Sequence, residues 1–178
     1  MPASKKPNLR RFFIYGLALI LVVFARPTPL SFGLGLAIIS LGEVLRFWAA
    51  GHLQKNEILT TTGPYSHVKH PLYIGTILIT MGFCIMADNM YILAVALLVF
   101  AFYYLPYKNT VEEERMKKLF GDAYLDYAEK VPDYIPRLSS YGRSKGKWRW
   151  RVFIENSEEG IVTLEVIGVF LIGIRLWI

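Results

Sequence analysis

His70-Pro71-Leu72-Tyr73 opens one apolar run, and Glu112-Glu113-Glu114 follows the next. Proline suits the first helical position because its missing N–H would be unpaired there anyway, which puts His70 near the N-cap and Tyr73 on the first turn. The amides of Leu72, Tyr73 and Ile74 are expected to form an anion pocket at the positive helix end. His70 and Tyr73, three residues apart, share a face over it. Glu112 and Glu113 supply negative charge at the opposite rim, where an ammonium, a ribose diol or a sulfonium could be held. A helix N-terminus for a carboxylate and an acidic pair for a cation together fit a zwitterionic amino-acid headgroup.

Each of these residues also has a plainer reading. His70 serves as a simple cap and Tyr73 as an interfacial aromatic. Glu114 pairs with Lys117 or Lys118 on a solvated helix face. Glu112 and Glu113 lie closest to the apolar run, where a carboxylate is costlier and less easily explained away. His67 and His70 straddle a loop-to-helix break with no cysteine or carboxylate beside them in sequence, so no metal site is expected. Gly75 and Gly82 leave a groove for a ligand or for another backbone. Arg46, with Glu43 one turn earlier on the same face, either neutralises an anionic substrate group or forms an internal pair.

The elements that must position these groups are apolar. With 54% hydrophobic residues and a mean hydropathy of +0.37 over 178 residues, the composition exceeds that of an ordinary soluble domain. The expected fold class is all-α, a single polytopic helical membrane domain with about five transmembrane helices, at 12–25, 30–50, 71–87, 90–107 and 161–178. Residues 108–160 are read as a cytosolic and interfacial segment. The first stretch is short: Lys5, Lys6, Arg10 and Arg11 before it, with the small residues Val23 and Ala25 at its end, also suit a removable signal peptide. The preferred reading is a helical hairpin turning at Arg26-Pro27-Thr28-Pro29. With the N-terminus in the cytosol, every one of the 20 Lys and Arg residues except Arg26, Arg46 and Arg175 falls on the cytosolic side, as the positive-inside rule requires. Both polar motifs then face the cytosol, and Asp88-Asn89 turns the third span into the fourth. The sole cysteine, Cys84, lies inside the third run and is read as a packing residue.

Spacing through Val111, Arg115, Met116, Leu119 and Phe120 predicts a helix that extends the fourth span and stops at Gly121, followed by a short helix around Tyr124 and Tyr127 that Pro132 and Pro136 break. Further on, Arg143, Lys145, Lys147, Trp148, Arg149, Trp150 and Arg151 interleave cations with indoles. Beside a bilayer that composition is an interfacial anchor for anionic headgroups; in a soluble protein it would hint at nucleic acid, and no nucleic-acid partner is expected.

The ordered set Gly63-Pro64-Tyr65, Lys69-His70-Pro71-Leu72-Tyr73-Ile74-Gly75, Glu112-Glu113, Phe120-Gly121-Asp122-Ala123-Tyr124, Tyr127 and Pro132 to Pro136 resembles the isoprenylcysteine carboxyl methyltransferase and phospholipid methyltransferase family of integral membrane enzymes. The resemblance covers about residues 40 to 140. It implies a helical membrane core whose cytosolic part wraps S-adenosylmethionine while a lipid or prenylated substrate enters sideways from the bilayer. On that basis Tyr65, Lys69, His70, Tyr73, Gly75, Glu112 and Glu113 are the cofactor-binding candidates; the catalytic candidates are Glu113 and, from its position near the cytosolic end of the second span, Arg46. Lys69 stands where the family often has arginine, and the chain from Tyr141 onward runs past the family's usual end. Two other readings stay open: an NADPH-dependent membrane reductase of the sterol type, and a non-catalytic membrane adaptor that uses the basic, Trp-rich segment.

Overall fold

The computed structural model describes residues 22–54, 57–99, 113–142, 146–156 and 159–177. Its elements are α-helices with one 3-10 turn: α1 (Pro29–Ala50), the turn Gly63–Ser66, α2 (Pro71–Ala87), α3 (Met90–Val99), α4 (Glu113–Lys130), α5 (Trp150–Glu155) and α6 (Glu159–Ile174). No strand occurs among the described residues, in keeping with the all-α expectation.

Helix α1 starts where the sequence supplies a capping box. The Ser31 amide donates to Thr28 Oγ1 at 3.1 Å and the Thr28 amide to Ser31 Oγ at 2.9 Å, with Pro29 in the first turn. Its buried stripe, Ser31, Gly35, Ile39, Gly42, Arg46 and Ala49, keeps a three- and four-residue period. The opposite face is equally greasy, with Leu41 64% and Val44 67% exposed. Apolar residues on both faces suit a helix whose outward side meets hydrocarbon rather than water.

Helices α1 and α2 lie antiparallel through two matched pairs of glycines. A Cβ on Gly42 would stand 2.8 Å from the Gly75 carbonyl oxygen, and one on Gly75 would stand 2.9 Å from that of Gly42. One Cβ on Gly82 would likewise fall 2.8 Å from the Gly35 carbonyl. The groove expected along Gly75 and Gly82 is therefore filled by another backbone. Small residues seven apart on both helices let the two axes approach this closely.

At the far end, Asp88 caps α2 in the left-handed conformation (φ 49°). Asn89 then accepts from the Tyr91 amide at 3.0 Å and donates to the Phe24 carbonyl at 3.0 Å. The expected Asp88-Asn89 turn is thus present. Arg175 donates to the carbonyls of Val22 and Val23, tying the end of α6 to this same corner. Ala25, Ile39, Cys84, Met86, Ala87, Ile92 and Ile172 form the core where α1, α2, α3 and α6 meet.

Gly121 breaks α4 with φ 51° and ψ −131°, so the helix stop expected there is real, although a second helical stretch continues at once to Lys130. One helix among the described residues, α1, is both long and apolar enough to cross a membrane. Pro71–Ala87 and Val162–Ile174 are shorter apolar helices. The expected span at 12–25, apart from its last four residues, and the far half of 90–107 lie outside the described residues, as does the junction that would make α4 an extension of the fourth span.

The chain after Gly146 is a strap over the end of α1. Helices end with carbonyls short of intrahelical donors, and here the strap supplies donors to the end of α1 and to the loop just beyond it. Trp148 Nε1 donates to Phe47 O at 3.1 Å, the Arg149 amide to Gly51 O at 3.0 Å, and Asn156 Nδ2 to Ala50 O at 2.8 Å and Leu53 O at 3.0 Å. Trp148 lies directly over Gly51, where any side chain would collide with the indole. The rings of Phe47, Trp148, Trp150 and Phe153 form one aromatic cluster, with the two indoles edge-on at 4.7 Å.

Candidate active site

The residues leading into α2 are held by the chain that follows α4. Tyr127 donates its hydroxyl to the Tyr65 carbonyl at 2.7 Å, and the Tyr141 amide donates to Ser66 O at 2.8 Å. His67 and Arg137 are doubly joined: the Arg137 amide donates to His67 O at 3.0 Å, and His67 Nδ1 donates to Arg137 O at 2.9 Å. The Lys69 amide donates to Pro132 O at 2.9 Å. Residues 65–69 are therefore stitched to 127–141 over nearly every residue, which fixes the direction in which His70 and α2 begin.

At that junction Asp133 is the central charge. Its Oδ1 lies 3.0 Å from Lys69 Nζ and 3.5 Å from His70 Nε2, with both basic side chains largely buried. The His70 ring is flanked by Tyr73 at 5.6 Å and Tyr134 at 6.3 Å between centroids. Two bases, a helix N-terminus, two phenols and a carboxylate are thus brought together. Among the described residues no group of three His, Cys, Asp or Glu side chains could hold a metal.

The anion pocket is smaller than the sequence implied. The amides of Tyr73 and Ile74 both donate to the His70 carbonyl at 3.1 Å, so they are not available to a ligand. The Ile74 bond is the first ordinary i to i−4 bond of α2, and the Tyr73 bond is its tighter i−3 companion. Leu72 remains the expected amide donor, with Lys69 and His70 beside it.

Behind this junction, Tyr124, Tyr127 and Val131 form a second buried cluster with Leu59 and Tyr141 against it. Burial pushes the Tyr127 phenol well above its ordinary range, so it stays a donor to Tyr65 at any physiological pH. Hydrogen bonds from Lys130 and Tyr141 hold the Asp126 carboxyl below the usual range, and the same bond raises the Tyr141 phenol.

Of the residues singled out in the sequence, Lys69, His70 and Tyr73 converge here. Tyr65 is buried one turn upstream, and Gly75 lies one turn into α2, where Arg46 and Gly42 cover its Cα. Arg46 is buried. Its Nη1 donates to Thr76 Oγ1 at 2.6 Å across the helix pair, and its Nε faces Glu43 Oε1 at 3.5 Å, so the internal pair is formed. Glu113 faces Lys117 one turn on at 3.6 Å, and Glu112 lies outside the described residues. Sequence reasoning missed Asp133, Tyr134 and Arg137. The signal available was Pro132 and Pro136, which bracket Asp133 and end the helix, so that the bends at residues 133–135 bring its carboxylate back to Lys69.

Residues 30–123 match the sequence profile of the phospholipid methyltransferase family, more than half of the chain. The chain belongs to this family. Similar proteins include the cobalt-zinc-cadmium resistance protein CzcN of Cupriavidus metallidurans, 34% identical over 136 residues that make up 75% of this chain and 61% of that protein. The nickel-cobalt-cadmium resistance protein NccN of Alcaligenes xylosoxydans xylosoxydans is 32% identical over 60% of this chain and 50% of its own length. Protein-S-isoprenylcysteine O-methyltransferase B of Arabidopsis thaliana is 34% identical over 57% of each. The chain thus spans only about half to three-fifths of the length of these relatives. No solved structure matches it significantly. The family match includes Lys69, His70, Tyr73 and Glu113 but ends before Asp133, so the clamp that organises the site, like the strap, lies beyond the matched residues.

Proposed function

We propose that this family member is an integral membrane methyltransferase that uses S-adenosylmethionine and acts on a lipid-like or isoprenylcysteine-type amphiphile. Its five spans would follow the positive-inside pattern, with the N-terminus and site on the cytosolic side. The observation that carries the reading is the convergence of Lys69, His70 and Tyr73 at the start of α2, clamped by Asp133, within a chain of this family.

The donor set fits the cofactor's charged end. Lys69, His70 and the α2 dipole attract a carboxylate. Carboxylates at Asp133 and on α4 suit an ammonium or a ribose diol, and the phenols of Tyr65 and Tyr73 give flat walls. When bound, S-adenosylmethionine supplies an electrophilic methyl group on a sulfonium. The protein's own contribution is then to align the acceptor and exclude water, and positioning of this kind supplies about 7–11 kcal/mol of a barrier. Glu112 and Glu113 hold the cation side of the cofactor, and Glu113 accepts the proton where the acceptor is an amine; a carboxylate acceptor needs no base. Arg46 sets the polarity on the acceptor side. An anionic acceptor group there competes with Glu43 for its guanidinium.

Calorimetric titration of the detergent-solubilised chain tests this. S-adenosylmethionine and its demethylated product should bind saturably and NADPH should not. Glu113→Ala should weaken binding about tenfold or more, the value of a charged hydrogen bond, while Glu114→Ala leaves it unchanged. Absence of saturable binding would remove the function, and unchanged affinity in Glu113→Ala would remove that residue from the site.

A further inference from the structure

Away from the Lys69–His70–Asp133 junction, the strap closes a cavity of about 330 Å³ between the loop after α1 and residues 146–149. Its lining includes His52, Thr60, Thr62, Lys147 and Arg149 on the polar side and Ile58 on the apolar side, with no acidic side chain. Three of its ten lining residues, Gly146, Lys147 and Arg149, come from beyond the family match, and they include both of its cationic side chains.

Three features make it a built site for an anion. Lys147 and Arg149 are both exposed and line the same cavity, and neither makes an ion pair among the described residues, so two positive charges face one space. Thr60 Oγ1 already accepts from the Gln54 amide at 3.2 Å, which leaves its hydroxyl proton to donate. His52 is buried beneath Gly63 and bonded to Thr62 Oγ1 at 3.1 Å, which holds the threonine wall in place. The strap itself cannot drift, because Gly146 packs directly on Thr62 and the Arg149 amide is tied to Gly51 O at 3.0 Å.

The surroundings say what carries the anion. The Phe47–Trp148–Trp150–Phe153 cluster, which joins the same strap to α1, is the aromatic composition of a membrane–water boundary, and Ile58 is 57% exposed at the rim. We propose that this cavity binds the phosphate group of an anionic phospholipid, held by Lys147, Arg149 and the Thr60 hydroxyl, with the acyl part leaving past Ile58 along the aromatic cluster. Guanidinium and ammonium together match a phosphate's geometry and charge. The inference does not rest on methyl transfer, since the site is read from its own charge and shape.

The test is direct binding to the full chain in a neutral detergent. Dihexanoylphosphatidic acid should bind saturably, with an affinity that falls as salt rises. Lys147→Gln combined with Arg149→Gln should weaken it about tenfold or more, and Thr60→Val should weaken it to a lesser degree. Both cations are exposed, so thermal unfolding should confirm that the double variant stays folded. Dihexanoylglycerol, which lacks the phosphate, should not bind saturably, and inorganic phosphate should bind at least about tenfold more weakly than the lipid. Equal binding by the double variant overturns the proposal. So does inorganic phosphate binding as tightly as the lipid, which would mark a site for free phosphate, or displacement of the lipid by S-adenosylmethionine, which would assign the cavity to the cofactor.

Discussion

Replacing Gly42 by alanine tests the contact on which the α1–α2 pair depends. The added methyl would stand 2.7 Å from Ile79 Cγ1 and 2.8 Å from the Gly75 carbonyl oxygen. The second neighbour is backbone and cannot rotate away, so the helices must separate. Overpacking of this kind costs about 1–3 kcal/mol, while exchanging a mid-helix glycine for alanine returns about 0.5–1 kcal/mol. The expected net is a loss of about 1–2 kcal/mol. Gly33→Ala on the same helix is the matched control: nothing lies within 4 Å of its new methyl, so it should stabilise by about 0.5–1 kcal/mol. Unfolding in mixed micelles by SDS titration, followed by circular dichroism, separates the two signs. The separation also strains the bond from Arg46 Nη1 to Thr76 Oγ1, 2.6 Å long and spanning the same pair of helices, so any anionic acceptor should bind more weakly. Gly42→Ala/Gly75→Ala should cost less than the sum of the two single changes, because both push the same helices apart. A Gly42→Ala protein as stable as the parent, or one shifted in the same direction as Gly33→Ala, would refute the packing argument.

Two other outcomes follow from the strap and the loop beneath it. Asn156→Ala removes the donor to Ala50 O and Leu53 O and should destabilise by about 2–3 kcal/mol, with faster protease cleavage within residues 146–156 as the readout. His52 is buried, and desolvation pulls its pKa below the ordinary value of 6.5. Below about pH 6.5 the unfolded chain therefore binds more protons at this position than the folded one, so stability should fall as pH drops until the folded-state pKa is passed. Unfolding free energies measured at pH 7.5 and 5.5 should differ less in His52→Asn than in the parent, and an equal difference in both would remove His52 as the cause.

The sequence by itself determined the local elements. Thr28-Pro29 and His70-Pro71 fixed two helix starts, because a proline, joined at Thr28 by a side-chain cap, acts within one turn. Gly121 and Asp88-Asn89 fixed a break and a turn, because positive φ is a property of single residues. The order of the motifs around His70 carried the family and with it Lys69, and His70 and Tyr73 were legible as one face of a helix end. The sequence left open what fills the remaining space, because that depends on partners distant along the chain. Gly75 and Gly82 read equally as a ligand groove or a helix seam, and only the antiparallel approach of Gly42 and Gly35 settled it. Asp133 lies more than sixty residues from Lys69, and no periodicity connects them; the clamp of residues 127–141 on 65–69 does. The Trp-rich segment announced an interface through its composition. Its role as the cap on the end of α1 came from tertiary structure, because the unpaired carbonyls of one helix can be met by donors from any part of the chain that folding brings near.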